Sequence, residues 1–282
     1  MKLFKYWSIG HSTAEADGRT IGVNCYGGSN ESSDDALRCA TALAERKAQA
    51  LRAGKRQDAY LYSDRPLREE IIEEVETCGE RTAVITRNAY GSLVLNTSRV
   101  LFADIDLPPS ALRRKKRGLL GFLTGAQASP PPGDDVLTRL GDVATRELGL
   151  GMRVYRTAKG FRCLVTGGTY DPTAATTRAL LESLGSDPLF IELCRVQECF
   201  RARLTAKYWR CGAPAPPFRF PWPEGDFEPI YRAWERAYHA QADRYTACVL
   251  ERTFGTQVRT PEVERIIAVH DHFACREGAE LA

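Results

Sequence analysis

The chain has 282 residues, of which 43% are hydrophobic and 27% are charged, and its formal net charge is +3. No run approaches the roughly 20 apolar residues of a membrane span, and the first ten residues lack the apolar centre of a secretory signal. The nine cysteines include no CxxC pair, which argues against a zinc ribbon. We therefore expect a cytoplasmic protein with an ordinary core and buried free thiols.

The first 80 residues predict a mixture of strands and helices. Alanine-rich sequence after Ser33 and Asp34 favours a capped helix that ends at Gly54. Pro66, followed by acidic residues, favours the first turn of a second helix. In chain order we expect strand and loop over 1–30, a helix over 33–53, a short strand over 58–63 and a helix over 66–76.

The remainder alternates strand and helix signals around two irregular segments. One is a basic, Gly- and Pro-rich loop or insert over 110–135, and the other is a Pro-rich crossover over 213–229. The other predicted elements are strands over 81–98 around a turn at 88–91, a strand over 99–109, a helix over 134–148, a hairpin over 152–168, a helix over 171–185, mixed helix and strand over 188–212, and two helices over 229–282.

This order predicts an α+β protein with a central mixed or antiparallel sheet, flanking helices and a helical C-terminal region. We divide it into an N-terminal α/β part (1–80), a core (81–212), and the crossover with the C-terminal helices (213–282).

Asp104 and Asp106 form the strongest candidate for a metal site. They stand two apart at the end of an apolar strand, so both carboxylates point to the same side. Oxygen ligands of this kind suit Mg²⁺ or Mn²⁺, with phosphates completing the coordination. The simpler interpretation is a pair of aspartates that caps the turn before Pro108.

Two Arg-rich segments follow this pair. Residues 153–162 place Lys159 and Gly160 in a tight turn, where glycine allows close approach to a phosphate and the cations supply charge. Residues 199–210 alternate cations with aromatic residues, as suits nucleic acid. Each could instead be a solvated basic surface. The candidates for contact with nucleic acid are Arg201, Arg203, Lys207 and Trp209.

The order of these motifs resembles the archaeo-eukaryotic primase superfamily, which includes primases, primase-polymerases and the polymerase domain of bacterial end-joining ligases. The family's first motif is apolar residues followed by Asp-x-Asp, here VLFADIDLP (100–108), and its second is a Lys-Gly turn at a strand, here TAKGFR (157–162). The resemblance implies an RRM-like core, metal-binding Asp104 and Asp106, and DNA or RNA as partner with a role in DNA replication. It also implies a nucleoside triphosphate site, which we assign to Arg156, Thr157, Lys159 and Arg162.

The chain departs from the family pattern at two points. Arg162 stands where the family has histidine, and an arginine cannot lose its proton near neutral pH. A third acidic residue has no clear match, Asp187 and Glu192 being the nearest choices. These departures leave open an inactive binding module that keeps the fold, and a nucleotide-sugar transferase that uses the same Asp-x-Asp is a further alternative.

Other chemistries have little support in the sequence. His270 and His272 stand two apart on a predicted helix, where their side chains point away from each other, so we expect structural or solvent roles. The chain has no GxSxG, GxxxxGK[ST] or GxGxxG motif, which argues against serine hydrolases, P-loop proteins and Rossmann folds.

Overall fold

A computed structural model describes residues 1–16, 18–54, 67–108, 133–147, 150–222, 225–255 and 260–282. Within these ranges the six helices are α1 (Ser33–Arg52), α2 (Asp134–Arg146), α3 (Ala175–Leu184), α4 (Pro188–Gln197), α5 (Phe227–Ala242) and α6 (Pro261–Ala274). None of the helices described is long and apolar enough to cross a membrane. The expected strand over 58–63, and nearly all of the basic loop over 110–135, lie outside the described residues.

The strands form two four-stranded antiparallel sheets, a hairpin and a short parallel pair. Their bounds are β1 (Tyr6–Ala16), β2 (Arg19–Ser29), β3 (Glu70–Thr77), β4 (Glu80–Arg87), β5 (Leu93–Thr97), β6 (Phe102–Asp106), β7 (Met152–Thr157), β8 (Gly160–Val165), β9 (Phe200–Arg203), β10 (Tyr245–Thr246), β11 (Cys248–Phe254) and β12 (Glu280–Leu281). The first sheet has the order β3-β4-β5-β9, and the second has the order β11-β7-β8-β6.

The N-terminal hairpin and α1 form a small unit with its own apolar cluster. The hydroxyl of Ser32 accepts a hydrogen bond from the Asp35 N–H (3.1 Å) and caps the helix. Alanines spaced four apart give α1 one flat buried face. Gly10 and Gly27 lie against the Ala40 backbone, where any Cβ would collide, so these glycines let the hairpin approach the helix.

The two large sheets share one core. It includes Ile85 and Leu95 from the first sheet, Phe102 and Phe161 from the second, and Leu140 from α2, all fully or almost fully buried. Because burying large apolar side chains is the main favourable term in folding, this cluster joins the two sheets into one unit.

The two faces of the second sheet differ in character. Alternation along β6, β8 and β7, with the observed register, places Arg162 between Asp104 and Tyr155 on one face of the sheet. Ile105 and Phe161 point to the other face, where α2 packs. The Asp-x-Asp pair therefore faces away from α2.

The α+β class is confirmed, but the single central sheet is replaced by two. One helix prediction is also wrong, because residues 66–76 contain most of β3 rather than a helix. β3 pairs antiparallel with β4, and Val75 enters the core. The β-branched residues of this segment suit a strand, and sheet pairing outweighs the helix-favouring glutamates.

The C-terminal region is not purely helical, so the prediction of two helices with no strands over 229–282 is wrong. Between α5 and α6 the chain forms β10 and β11. β11 pairs antiparallel with β7 and becomes an edge strand of the second sheet. The apolar and β-branched residues of β11 suit a strand at the edge of a sheet. The helical pattern that precedes this segment does not continue through it.

Candidate functional site

Asp104 is half-buried and Asp106 is exposed at the end of β6. The loop between α3 and α4 holds the backbone of Asp104 on both sides. The Asp104 N–H donates to the Ser186 hydroxyl oxygen (3.2 Å), while the Ser186 hydroxyl (3.1 Å) and the Asp187 N–H (2.8 Å) donate to the Asp104 carbonyl. The position of Asp104 therefore depends on the loop that contains Ser186, which lies 82 residues further along the chain.

A third carboxylate lies beside this pair. Asp187 is the N-cap of α4, and one carboxylate oxygen accepts the Phe190 N–H (3.0 Å). Burial is the main cause that raises the pKa of Asp104, and the charges of Asp106 and Asp187 raise it further. Glu192, the other candidate, instead pairs with Arg195 (2.6 Å) at the surface.

The Lys-Gly turn lies next to the aspartates. Lys159 is exposed at the tip, and its carbonyl accepts the Leu107 N–H (2.9 Å). A Cβ on Gly160 would collide with the Ile105 carbonyl, so only glycine allows β8 to pass so close to β6. Thr157 closes the turn, its hydroxyl accepting the Gly160 N–H (3.1 Å).

Arg162 is buried and lies opposite Asp104 in the sheet. Its Nη1 donates to the Arg203 carbonyl (2.8 Å) and to His270 Nε2 (3.2 Å). The charge of Arg162 partly opposes the burial that raises the pKa of Asp104. In the described part of the chain no ion pair within 4 Å joins Arg162 to Asp104 or Asp106, so the guanidinium does not fill the space between the carboxylates.

Arg203, Lys207 and Arg210 place further positive charge near the aspartates. Burial, together with the charges of Arg162 and Arg210, lowers the pKa of Arg203 to about 10. Burial lowers the pKa of Lys207, and the charges of Arg203, Arg210 and Lys159 lower it further. Burial also lowers the pKa of Arg210. Over the ranges described, no ion pair within 4 Å involves any of the three. An anion bound here would relieve their repulsion.

An aromatic pair stands at the rim of this cluster. Trp209 is 49% exposed and Tyr90 is 42% exposed, and their rings meet edge to face at 5.2 Å. Lys207 Nζ lies 5.2 Å from the Trp209 ring centroid and 5.5 Å from that of Tyr90. Trp209 thus keeps an accessible ring beside the basic groups.

Two predicted site residues are not brought to this cluster. Arg156 points to the α2 face and binds both carboxylate oxygens of Glu251 (2.9 Å each). Arg201 lies in a pair with Glu69 (2.7 and 2.9 Å). Successive side chains of a strand point to opposite faces of the sheet, so Arg156 and Thr157 cannot reach the same site. The position of Arg201 was not predictable in this way, because its partner comes from a distant segment.

Sequence reasoning missed a second cluster, made of Cys248, His270 and Cys275. It lies on the same side of the second sheet as Asp104, beneath α6. Its members come from β11, α6 and the residue that ends α6, so no local spacing announces it. The His270 prediction is confirmed in part: the residue lies on a helix and is buried, whereas His272 is exposed.

None of the nine cysteines forms a disulfide, but not all of them are buried. Cys39 and Cys78 are exposed and Cys275 is half-exposed, which corrects the expectation of nine buried thiols. A hydrogen bond with Cys275 is the largest cause that lowers the pKa of Cys248, and the same contact raises the pKa of Cys275.

Comparisons of the chain with protein-family models, curated proteins and solved structures find no match. Its function must therefore be argued from the residues and their geometry.

Proposed function

We propose that this chain is a divalent-metal-dependent nucleotidyltransferase of the primase-polymerase type, which acts on DNA or RNA with nucleoside triphosphates. The observation that carries the proposal is the unneutralised charge beside β6. Asp104 and Asp106 face the same region as Arg203 and Arg210, yet none of these groups is paired within 4 Å in the described residues. Such an arrangement suits a metal together with a phosphate chain, which supply the missing opposite charges.

The carboxylates fit Mg²⁺ or Mn²⁺, which prefer oxygen ligands. Asp104 and Asp106 would hold the metal, with Asp187 adding negative charge nearby. When bound, the metal would activate the attacking 3′-hydroxyl and neutralise charge on the transferring phosphoryl group. Because Asp106 is exposed, the site is open to a nucleotide.

The basic groups divide by position. Arg203 and Arg210 interact electrostatically with Asp104, so we assign them to the triphosphate. Arg162 supports them as a permanent cation rather than as a proton acceptor. Lys159 at the turn would reach the same phosphates. Lys207 and Trp209, at the rim, would bind the backbone and stack on a base of the nucleic acid.

The proposed activity needs the Asp-x-Asp strand and the Lys-Gly turn to lie close together, so that the metal and the triphosphate share one site. Here β6 and β8 are adjacent in the second sheet. We place the protein in the cytoplasm, where thiols such as those of Cys248 and Cys275 stay reduced.

The test is incorporation of labelled nucleotides on primed and unprimed templates, with Mg²⁺ or Mn²⁺. We expect metal-dependent incorporation that falls at least about 100-fold in Asp106→Asn, because one metal ligand is lost. Asp142→Asn, an exposed aspartate on α2, is the matched control and should retain full activity.

Absence of incorporation by folded wild-type protein with either metal would refute the proposal. Nucleic-acid binding that persists in chelator would then indicate the inactive binding module. Hydrolysis of sugar nucleotides without nucleotide incorporation would indicate the sugar transferase.

A further inference from the structure

The second cluster has the composition and spacing of a soft-metal site. Cys248 Sγ lies 3.7 Å from Cys275 Sγ and 3.8 Å from His270 Nε2. One ligand atom from each of the three residues falls within 4.8 Å of the others. Two thiols and an imidazole are ligands that Zn²⁺ prefers and Mg²⁺ avoids.

These separations match tetrahedral zinc. With Zn–S bonds of about 2.3 Å and a Zn–N bond of about 2.0–2.1 Å, tetrahedral angles place two sulfurs about 3.7–3.8 Å apart and sulfur and nitrogen about 3.6 Å apart. The Cys248–Cys275 and Cys248–His270 distances differ from these by about 0.2 Å or less, and the third pair, Cys275 and His270, lies within 4.8 Å. The ligand atoms are therefore already arranged, although they come from two separate elements.

The surroundings orient the histidine as metal sites require. His270 Nδ1 lies 2.9 Å from Asp271 Oδ1, which favours the proton on Nδ1 and leaves the lone pair of the ring on Nε2, on the side of the two sulfurs. Asp271 is itself fixed, because Tyr155 donates to Oδ1 (2.7 Å) and Arg153 donates to Oδ2 (2.8 Å). A carboxylate that holds the second ring nitrogen is the usual outer partner of a zinc-binding histidine.

We propose that Cys248, His270 and Cys275 bind Zn²⁺, with water as the fourth ligand. Binding displaces the thiol protons, and two thiolates neutralise the ion. The nearby Arg162 guanidinium is therefore not repelled by a net positive site. Arg162 and the ion use the same lone pair of His270 Nε2, so binding releases Arg162 from the imidazole while its hydrogen bond to the Arg203 carbonyl remains available.

The experiment measures metal in the full chain, purified without chelator, by elemental analysis. We expect about one zinc per chain in the wild type and at least a tenfold lower content in Cys275→Ala. Cys275 is half-exposed, so its truncation disturbs the core least. Cys25→Ala, which removes a buried thiol in the N-terminal hairpin, is the matched control and should keep its zinc.

A second measurement does not depend on any variant. Metal-free wild type titrated with Co²⁺ should develop a thiolate-to-cobalt charge-transfer band and the visible bands of tetrahedral cobalt. A wild type that takes up neither zinc nor cobalt overturns the proposal. So does a folded Cys275→Ala protein that binds as much metal as the wild type. Both outcomes are independent of nucleotidyl transfer, so this site can fail while the proposed function stands.

Discussion

Two groups of charged side chains in this molecule are similar in composition but opposite in pairing. Where the first sheet meets α5, Arg87 and Arg232 share the carboxylates of Glu70 and Glu235, and each arginine lies within 4 Å of both. At the Asp-x-Asp strand, by contrast, cations and carboxylates occupy one region and stay apart.

The contrast separates a cluster that stabilises the fold from the cluster that we propose binds a ligand. Buried charges are expensive unless they are paired, so the network at α5 is explained by the fold alone. The cluster at β6 has no such explanation, because burial lowers the pKa of Arg203 and raises that of Asp104. Burial thus works against the charged forms of both groups, and a metal with phosphates would supply the missing partners.

The largest effect is expected from breaking the paired network. Glu235→Gln removes the carboxylate that contacts Arg87, whose side chain is only 3% exposed. Removing one partner of a buried pair costs about 3–5 kcal/mol of unfolding free energy. Because Glu70 still lies 4.0 Å from Arg87, we expect a loss toward the lower end of that range, which a denaturant titration measures. The control is Glu228→Gln, which removes an exposed partner of Arg232 and should cost less than about 1 kcal/mol. Equal losses in the two variants would remove the distinction between the clusters.

Changing the unpaired cluster should affect ligand binding and leave stability intact. Arg210→Gln is expected to lower kcat/KM for nucleotide about 10- to 100-fold, as loss of a charge-assisted hydrogen bond does. Its unfolding free energy should not fall, because burial lowers the pKa of Arg210 and so disfavours the charged form. Arg156→Gln, on the opposite face of the same sheet, should keep activity within about twofold. A destabilised Arg210→Gln with normal kinetics would assign this arginine to the fold instead.

The smallest effect concerns the pH dependence of stability. The pKa of Asp104 is raised in the folded state, so its protonated form favours folding and that contribution is lost as pH rises through the folded pKa. Asp104→Asn should therefore melt a few degrees higher than the wild type at neutral pH while losing activity. The difference should vanish as pH falls below the unfolded value of about 3.9, toward about pH 3, where the carboxyl is protonated in both the folded and the unfolded state. Thermal melts at several pH values measure it, and a variant that is less stable at neutral pH would contradict it.

Local signals predicted the elements that local interactions form. The alanine face of α1, the helix α2 and the turn between β7 and β8 are all confirmed. The segment of β3 failed because its glutamates favour helix, while the partner that makes it a strand is β4. Propensity is a weak prior wherever sheet pairing decides.

The candidate site shows the same limit. Period-two alternation is enough to place Asp104 and Asp106 on one face. The positions of Asp187 and Arg210 depend on how the α3–α4 loop and the segment after β9 pack, which no short spacing encodes. Cys248 and Cys275 are 27 residues apart, and only the packing of α6 on β11 brings their sulfurs together.

The position of β11 has a consequence for how the protein is made. β11 is the last of the strands in the second sheet to be synthesised, and it covers one edge of β7 from Cys248 to Phe254. Until it emerges from the ribosome, the sheet that holds Asp104 has an open edge with unpaired backbone groups. A chain that terminates before β11 would keep that edge, and we expect it to aggregate rather than fold into a smaller stable unit.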